Sequence, residues 1–299
     1  MKALSQSAYG GPELIALEDV PDPVVAADDD VVIRVRACAL NAADWHLMRA
    51  DPWPTRFAIG MRRPRVVSPG SAVAGVVEAV GAGVTSVKPG DAVLAEILRG
   101  GLAELAVTKE KRVARKPESI SFEQAACLPL SGTTALHAVR DKGGVKPGDR
   151  VLVIGASGGV GATAVQIARA LGAEVHGVTS TRNIELVRSL GAADVVDYTQ
   201  ADVTASGRTY DVVIDAVGEA PVSDLARLLA PGGRYVGVAL GTNPTLGGVV
   251  RRNLAVAAGS RRSPGRMSVL VSSGNRDDLA VVASMAAAGD VELPVERTY

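Results

Sequence analysis

Three glycines spaced three apart, Gly155, Gly158 and Gly161, stand in the stretch Val151-Leu-Val-Ile-Gly-Ala-Ser-Gly-Gly-Val-Gly161. An apolar run precedes them and an amphipathic one follows, so the pattern predicts a strand-to-helix turn. Such a turn holds a nucleotide pyrophosphate: backbone N–H groups approach closely, and the positive end of a helix dipole faces the anion. A side chain at Gly158 would block the approach, and one at Gly161 would push the helix off its strand. Ser157, Gly158, Gly159, Val160 and Gly161 are the expected cradle. Glycine alone marks many tight turns, and it is the strand before, the helix after and the repeating domain beyond that make this one a dinucleotide loop.

Which dinucleotide depends on the end of the second strand, roughly twenty residues further on, where a carboxylate would bind the ribose diol of NAD. Here Glu174-Val-His-Gly-Val-Thr179 is followed by Ser180-Thr181-Arg182-Asn183. No carboxylate closes that strand. Arg182 suits a 2′-phosphate through charge-assisted hydrogen bonds, assisted by Ser180 and Thr181, and the expected cofactor is NADPH. The competing reading is that these residues cap the following helix and face water.

Metal or thiol chemistry finds little material. Cys38 and Cys127 are the two cysteines, too few for a disulfide framework or a four-thiolate zinc knot. Neither has His or Cys neighbours at ligand spacing. His46, His137 and His176 are isolated from one another, and each reads as a surface or packing residue.

These residues need elements to position them. Up to about residue 115 short apolar runs (Val31–Val35, Val73–Val80, Ala92–Ala95) alternate with Gly, Pro and Asp turns, the pattern of a β-rich barrel or sandwich. Ala42–Arg49 reads as a short helix. Ser121–Leu128 reads as another, with Ser121 as N-cap and Gln124 three residues on. From Arg150 strands and helices alternate: strands at Val151–Ile154, Glu174–Thr179, Asp194–Asp197, Tyr210–Asp215 and Arg234–Ala239, and helices at Val160–Leu171, Asn183–Leu190 and Val222–Leu229. A sixth strand is expected near Leu254–Ala258. Alternation of this kind means a parallel sheet covered on both faces. The expected fold class is α/β: a doubly wound parallel sheet beside a smaller β-rich domain. The expected domains are residues 1–117, 118–259, and a return to the first domain over 260–299. In that last part Arg261, Arg262 and Arg266 read as a solvated loop or a cationic wall, Asp277–Ala288 as a helix and Val291–Tyr299 as an extended tail.

At 299 residues the chain is long enough for two cores. Its 32 Lys+Arg balance 32 Asp+Glu, which argues against nucleic acid or an anionic membrane as partner. The start lacks the apolar stretch of a signal peptide, and no apolar run reaches membrane-spanning length. The expectation is a cytoplasmic protein acting on a small molecule.

Several ordered blocks carry a family resemblance: Asn41-Ala-Ala-Asp44, Gly75-Val-Val-Glu-Ala-Val-Gly81, Lys88-Pro-Gly-Asp91, Pro129-Leu-Ser-Gly-Thr-Thr-Ala135, Lys146-Pro-Gly-Asp149, the glycine loop through Gln166, and Tyr210-Asp-Val-Val-Ile-Asp-Ala-Val-Gly218. Together they resemble the medium-chain dehydrogenase/reductase superfamily, in its zinc-free quinone oxidoreductase-like branch. The resemblance implies a GroES-like catalytic domain, a Rossmann domain and a cleft between them. It places Asn41 beside the nicotinamide as a hydrogen-bond donor to a developing oxyanion, the one expected catalytic residue. Thr134 and the Gly237-Val238-Ala239-Leu240 loop would flank the ring, Val217 and Gly218 would line the cofactor channel, and Tyr198 joins the cofactor residues. Asp44, Trp45, Trp53 and Ala72 are the expected substrate-side residues, the tryptophans either as apolar walls or as ordinary packing, and Asp44 also as a helix cap or partner of Arg49.

Zinc-dependent members of this superfamily carry a Cys at the position of Asn41 and Gly-His-Glu at Gly70-Ser71-Ala72, so no metal is expected. Without a Lewis acid, alcohol oxidation is hard, whereas hydride addition to a quinone or α,β-unsaturated carbonyl needs only orientation and one hydrogen bond. Two departures stand out: relatives commonly have an Asp at Ala72 and favour an aromatic at Leu105. The resulting reading is an NADPH-dependent quinone or enone reductase. Its alternatives are a reductase or dehydrogenase of one biosynthetic intermediate, or a low-turnover NADPH-binding protein. The resemblance also implies a homodimer paired through the sheet edge at Leu254–Ala258, and a C-terminal helix and strand beyond Tyr299.

Overall fold

The computed structural model describes residues 1–65, 68–97, 99–239, 241 and 245–299. They group into two compact units: Met1–Thr133 with Gly274–Gly289 and Leu293–Tyr299, and Thr134–Ser273 with Asp290–Glu292.

The first unit opens with an antiparallel pair, β1 (Lys2–Gln6) and β2 (Ile15–Asp19). Its main sheet contains β3 (Asp30–Ala39), β4 (Ala72–Val80), β5 (Ala92–Glu96), β6 (Leu105–Lys109) and β7 (Val113–Arg115), antiparallel in the order β6-β3-β4-β5-β7. β-Branched residues dominate the inner face: Val31, Ile33, Val73, Val77, Val93 and Val113 form one buried cluster with Ala95, Ile97 and Ala106. Between β3 and β4 lie α1 (Ala42–Arg49) and the short α2 (Arg56–Ile59). Helix α3 (Phe122–Cys127) has the expected capping box, with Ser121 Oγ accepting from the Gln124 N–H at 3.2 Å. It packs on β3 and β4. Residues 118–133 therefore lie with the first unit, sixteen residues further than the texture change near Pro117 suggests, because the apolar face of α3 is buried on that sheet.

Helical winding continues through α4 (Thr133–Leu136), with wide π-turns on either side. The second unit then winds β8 (Arg150–Ile154), α5 (Gly159–Ala170), β9 (Glu174–Thr179), α6 (Ile184–Ser189), β10 (Asp194–Asp197), β11 (Tyr210–Asp215), α7 (Val222–Arg227), β12 (Leu229–Gly237), α8 (Leu246–Arg262) and β13 (Arg266–Val269). The sheet is wholly parallel, ordered β10-β9-β8-β11-β12-β13, a doubly wound arrangement whose strand order reverses between β8 and β11. Val151, Leu152, Val153, Val213 and Ile214 are fully buried, as strands covered on both faces require.

One element differs in kind from its expectation. Leu254–Ala258 is not a strand but lies inside α8, whose N-cap Thr245 accepts from the Gly248 N–H at 3.1 Å. A short apolar run does not distinguish strand from helix, and alanine favours the helix. Here Val256 alone of the run is buried, while Leu254 is 66% exposed. The sixth strand is β13 instead, parallel to β12 with Tyr235 opposite Met267. Residues 260–273 consequently belong to the second unit. The chain returns to the first in α9 (Arg276–Ala287), where Gly132 meets Val282. Among the described residues no helix is long and apolar enough to cross a membrane.

Candidate functional site

The glycine turn is built as its spacing requires. Gly155 has φ +80° at the end of β8, and a Cβ there would lie 2.7 Å from Val217 Cγ2 at the end of β11, across the point where strand order reverses. A Cβ on Gly161 would collide with the Gly155 carbonyl. At Gly158 it would meet only Gly155 O, at 3.5 Å, so the exposed face of this residue opens outward. Gly158 is the N-cap of α5, and the N–H groups of the helix's first turn have no intrahelical acceptor. Ser157 Oγ accepts from Thr179 Oγ1 at 2.8 Å and from Asn183 Nδ2 at 3.0 Å. Both acceptor positions of the Ser157 hydroxyl are used, which leaves its own proton to be donated. The turn thus offers donors to an anion.

At the end of β9, Ser180 is half-buried and Thr181 and Arg182 are exposed. Ser180 stands at an N-cap position without a side-chain capping bond, so the helix-cap role is not taken up there. Thr181 Oγ1 donates to Asp197 Oδ2 at 2.6 Å. Asp197 ends β10 and pairs in register with Thr179. It also accepts from the Thr199 N–H (2.9 Å), Thr199 Oγ1 (2.7 Å) and Gln200 Nε2 (3.0 Å). The hydroxyls of Thr181 and Thr199 hold its carboxyl below the usual carboxylate range. Sequence reading missed Asp197, because it is the parallel pairing of β10 with β9 that brings the two strand ends side by side. Tyr198, next along, is 63% exposed and its N–H donates to Thr179 O at 3.0 Å.

Val217 and Gly218 form the turn after β11, both N–H groups donating to Asp215 Oδ1, at 3.0 and 2.8 Å. Asp215 Oδ2 accepts from Tyr235 Oη at 2.9 Å and Arg252 Nη2 at 2.8 Å. Neither Asp215 nor Arg252 was expected in a functional role. Val238 and Ala239 follow β12, partly buried, and the Val238 N–H donates to Asp215 O at 2.9 Å. Leu240 lies outside the described residues. Thr134 is buried in α4.

In the first unit Asn41 caps α1, and its neighbours fix the orientation of its amide. Nδ2 donates to Ala39 O at 3.1 Å and reaches Asp44 Oδ2 at 3.5 Å, while Oδ1 accepts from Ser131 Oγ at 3.3 Å. Asp44 accepts from the Asn41 N–H at 2.8 Å, completing a capping box; Arg49 pairs with Asp51 instead, at 2.9 Å. Burial pushes the Asp44 carboxyl upward against the pull of the Ser71 hydroxyl and the Asn41 N–H. Asp44 Oδ1 and Ser71 Oγ are both buried without a well-formed hydrogen bond. Nearby, Arg99 donates to Leu47 O and Gln6 Oε1, each at 3.0 Å. The Cys38 thiol is pushed up to about 12 by burial and by Asp44, so it stays protonated.

Trp45 and Trp53 are 43% and 52% exposed, not core packing. The Arg49 guanidinium lies 5.2 Å from the Trp45 ring centroid, and Phe57 meets Trp53 edge-on. Ala72 is fully buried in β4, opposite Ala39 and Glu96, and Leu105 is buried in β6. Asn41, Asp44 and Ser71 therefore stand together, with the tryptophans on the surface of the same unit and the Ala72 methyl sealed in the sheet. Among the described residues no three His, Cys, Asp or Glu side chains converge on a shared metal position. His176 bonds Glu174 and Tyr210, at 2.9 and 3.3 Å, and His137 bonds Ser272 at 3.0 Å.

Comparison with known proteins agrees with this architecture. Residues 27–118 match the alcohol dehydrogenase GroES-like domain family, and residues 159–273 the zinc-binding dehydrogenase family. The chloroplast envelope quinone oxidoreductase homolog of Arabidopsis thaliana is 37% identical over 261 residues, covering 81% of this chain and 76% of that one. The chloroplastic NADPH-dependent alkenal/one oxidoreductase of the same plant is 36% identical over 82% of this chain and 64% of its own length. The solved structure of a quinone oxidoreductase from Coxiella burnetii superposes with a TM-score of 0.84 at 27% identity, covering 99% of this chain and 90% of that one. With the parallel sheet, the antiparallel sheet and this extent of shared sequence, the chain belongs to the medium-chain dehydrogenase/reductase superfamily, in its quinone oxidoreductase-like branch, and is an oxidoreductase that uses a nicotinamide cofactor.

Proposed function

We propose that this chain is a zinc-independent, NADPH-dependent reductase that adds a hydride to a quinone or an α,β-unsaturated carbonyl. The observation that carries the reading is the donor-rich turn at Ser157–Gly161 with Arg182, a cation among exposed polar side chains, at the end of β9. Ser157, Gly158, Gly159, Val160 and Gly161 would hold the pyrophosphate and Arg182 the 2′-phosphate, with Ser180, Thr181 and Tyr198 at the adenosine end. Val217, Gly218, Val238, Ala239, Leu240 and Thr134 would line the nicotinamide end. A relative named for NADPH-dependent action on alkenals and enones supports both cofactor and acceptor.

A bound nicotinamide supplies a hydride. The chain's own contribution is placement and a hydrogen bond: the Asn41 amide is oriented by Ala39 and Ser131, and its second N–H, engaged only by the long contact to Asp44, is available to an acceptor's carbonyl oxygen. Asp44, Trp45 and Trp53 are proposed to shape the acceptor side; Ala72, expected there from the sequence, is fully buried in β4 and presents no surface to a substrate. The donor set does not suit zinc, since Asn41 and Ser71 offer neither thiolate nor imidazole. A homodimer of cytoplasmic location is part of the same reading.

The test is steady-state NADPH oxidation with a simple quinone and a simple enone, alongside titration of Arg182→Ala with NADPH and NADH. Turnover on either acceptor, and a lost NADPH preference in the variant, support the reading. Tight NADPH binding with no turnover on any acceptor points to the low-turnover binding protein, and stoichiometric zinc in the purified protein overturns the metal-free mechanism.

A further inference from the structure

We propose that Asp197 limits the preference for NADPH, by holding the Thr181 hydroxyl proton away from the nucleotide's 2′-position and placing a negative charge beside it. The inference rests on the reading that the end of β9 receives the adenosine ribose. It corrects one part of that reading, because Thr181 is not available as a phosphate donor.

The chemistry follows from proton counting. A hydroxyl has one proton, and an ionised carboxylate only accepts. Thr181 Oγ1 lies 2.6 Å from Asp197 Oδ2, so its proton is committed there in a charge-assisted bond. Thr199 commits its own proton to Asp197 Oδ1 at 2.7 Å, so the 3.1 Å approach of Thr181 and Thr199 supplies no donor to the outside. What Thr181 presents outward is a lone pair. A ribose 2′-hydroxyl can donate to it, whereas a 2′-phosphate meets an acceptor backed by an anion. Arg182 attracts the phosphate and Asp197 opposes it.

Asp197→Asn reverses both effects without changing shape. The Thr199 N–H requires an acceptor at the Oδ1 position, so the new amide NH2 takes the Oδ2 position, facing Thr181, and the exposed Gln200 amide, whose Nε2 donates to Oδ2 at 3.0 Å, turns over to present its oxygen there. It then donates to Thr181 Oγ1 and turns the Thr181 proton outward. Removing one charge beside a phosphate in screened solvent is worth roughly three- to tenfold in affinity.

The experiment is a nucleotide-fluorescence titration of the full chain with NADPH and with NADH, at one ionic strength, for wild type, Asp197→Asn, Thr181→Val, the double variant and Arg182→Ala. Asp197→Asn is expected to lower the NADPH Kd about three- to tenfold and change the NADH Kd less than twofold. Thr181→Val alone should shift the NADPH Kd less than about twofold, yet remove part of the gain in the Asp197→Asn background. Equal shifts for both nucleotides, or none, overturn the proposal. So does a selective NADPH loss of about fivefold or more in Thr181→Val, because Thr181 would then be donating to the phosphate. If Arg182→Ala leaves the NADPH-to-NADH ratio unchanged while Asp197→Asn moves it, the Arg182 assignment fails and this one stands; the opposite pattern fails this one alone. If wild type binds neither nucleotide, both fall.

Discussion

Asp215 and Arg252 form an ion pair inside the second unit, carboxylate Oδ2 to guanidinium Nη2 at 2.8 Å, with side-chain exposures of 1% and 18%. The other carboxylate oxygen holds the N–H groups of Val217 and Gly218. A residue of α8 thereby sets the shape of the turn proposed to line the cofactor. Arg252 also donates to Ala220 O at 3.1 Å and to the Tyr235 hydroxyl at 3.0 Å, so the two side-chain partners of the buried carboxylate are themselves tied together.

Removing one member of such a pair leaves an uncompensated buried charge, a loss of about 3 kcal/mol or more. Arg252→Met is therefore expected to lower the unfolding free energy read from urea denaturation by that order and to raise the NADPH Kd as the Val217–Gly218 turn loosens. Tyr235→Phe removes one neutral donor and is expected to cost only about 1 kcal/mol. If the two variants are equally mild, the ion pair is not what holds the turn.

Asp44 gives a pH-dependent prediction of opposite sign to the usual carboxylate. Its carboxyl is pushed above the ordinary 3.8 chiefly by burial, so the folded protein binds the proton more tightly than the unfolded chain does. The resulting contribution to stability is complete below 3.8 and is lost as pH rises through the folded value. Asp44→Asn cannot ionise, its oxygen can keep the Asn41 N–H, and its NH2 faces the unpartnered Ser71 Oγ. The variant is expected to gain about 1 kcal/mol on wild type near pH 8 and to lose that advantage in acid. Urea unfolding across the pH range checks it; a gain independent of pH would mean that ionisation of Asp44 plays no part.

Local chemistry was legible in the chain and long-range chemistry was not. Gly155, Gly158 and Gly161 lie within seven residues of one another and define their turn by themselves, as do Ser121 and Gln124 in their capping box. Thr181 reads as a phosphate ligand until Asp197, sixteen residues on, is brought beside it by the pairing of β10 with β9. Asn41 and Ser131 are separated by ninety residues, and no spacing rule links them. Leu254–Ala258 failed for a different reason. A short apolar run fits either a buried strand or a helix face, and the decision is made by Val256 and Arg252 packing inward one turn apart, while Leu254 faces out.

Glu110 supplies the usual acid-labile contribution. Its Oε1 accepts from the backbone N–H of Thr85 at 2.9 Å and of Ser86 at 2.8 Å. These bonds hold its carboxyl down, from an ordinary 4.5 to about 2. Its stabilising share is present above 4.5 and disappears as pH falls toward 2. Glu110→Gln is expected to be less stable than wild type at neutral pH, with the gap closing across that window. Unfolding midpoints in citrate and phosphate buffers check it, and a gap as wide at pH 2.5 as at neutral pH would show that the charge is not responsible.

The two glycines at the head of α5 separate folding from binding. At Gly161 a methyl would run into the Gly155 carbonyl, backbone against backbone, and neither side can move without dragging the strand or the helix. Gly161→Ala is expected to cost about 2 kcal/mol or more in unfolding free energy, as overpacking of a close contact does. At Gly158 a methyl meets only Gly155 O at 3.5 Å, an ordinary contact, and φ is −77°, which alanine adopts freely. Gly158→Ala should therefore melt within a degree or two of wild type. Its methyl occupies the outward space through which an anion must approach the first-turn N–H groups, so the NADPH Kd should rise at least about tenfold, the loss of one or two charge-assisted bonds. Thermal melts and NADPH titrations on the pair decide it. Wild-type affinity in Gly158→Ala would mean that the nucleotide does not approach α5 through this turn, and the cradle would have to be sought elsewhere.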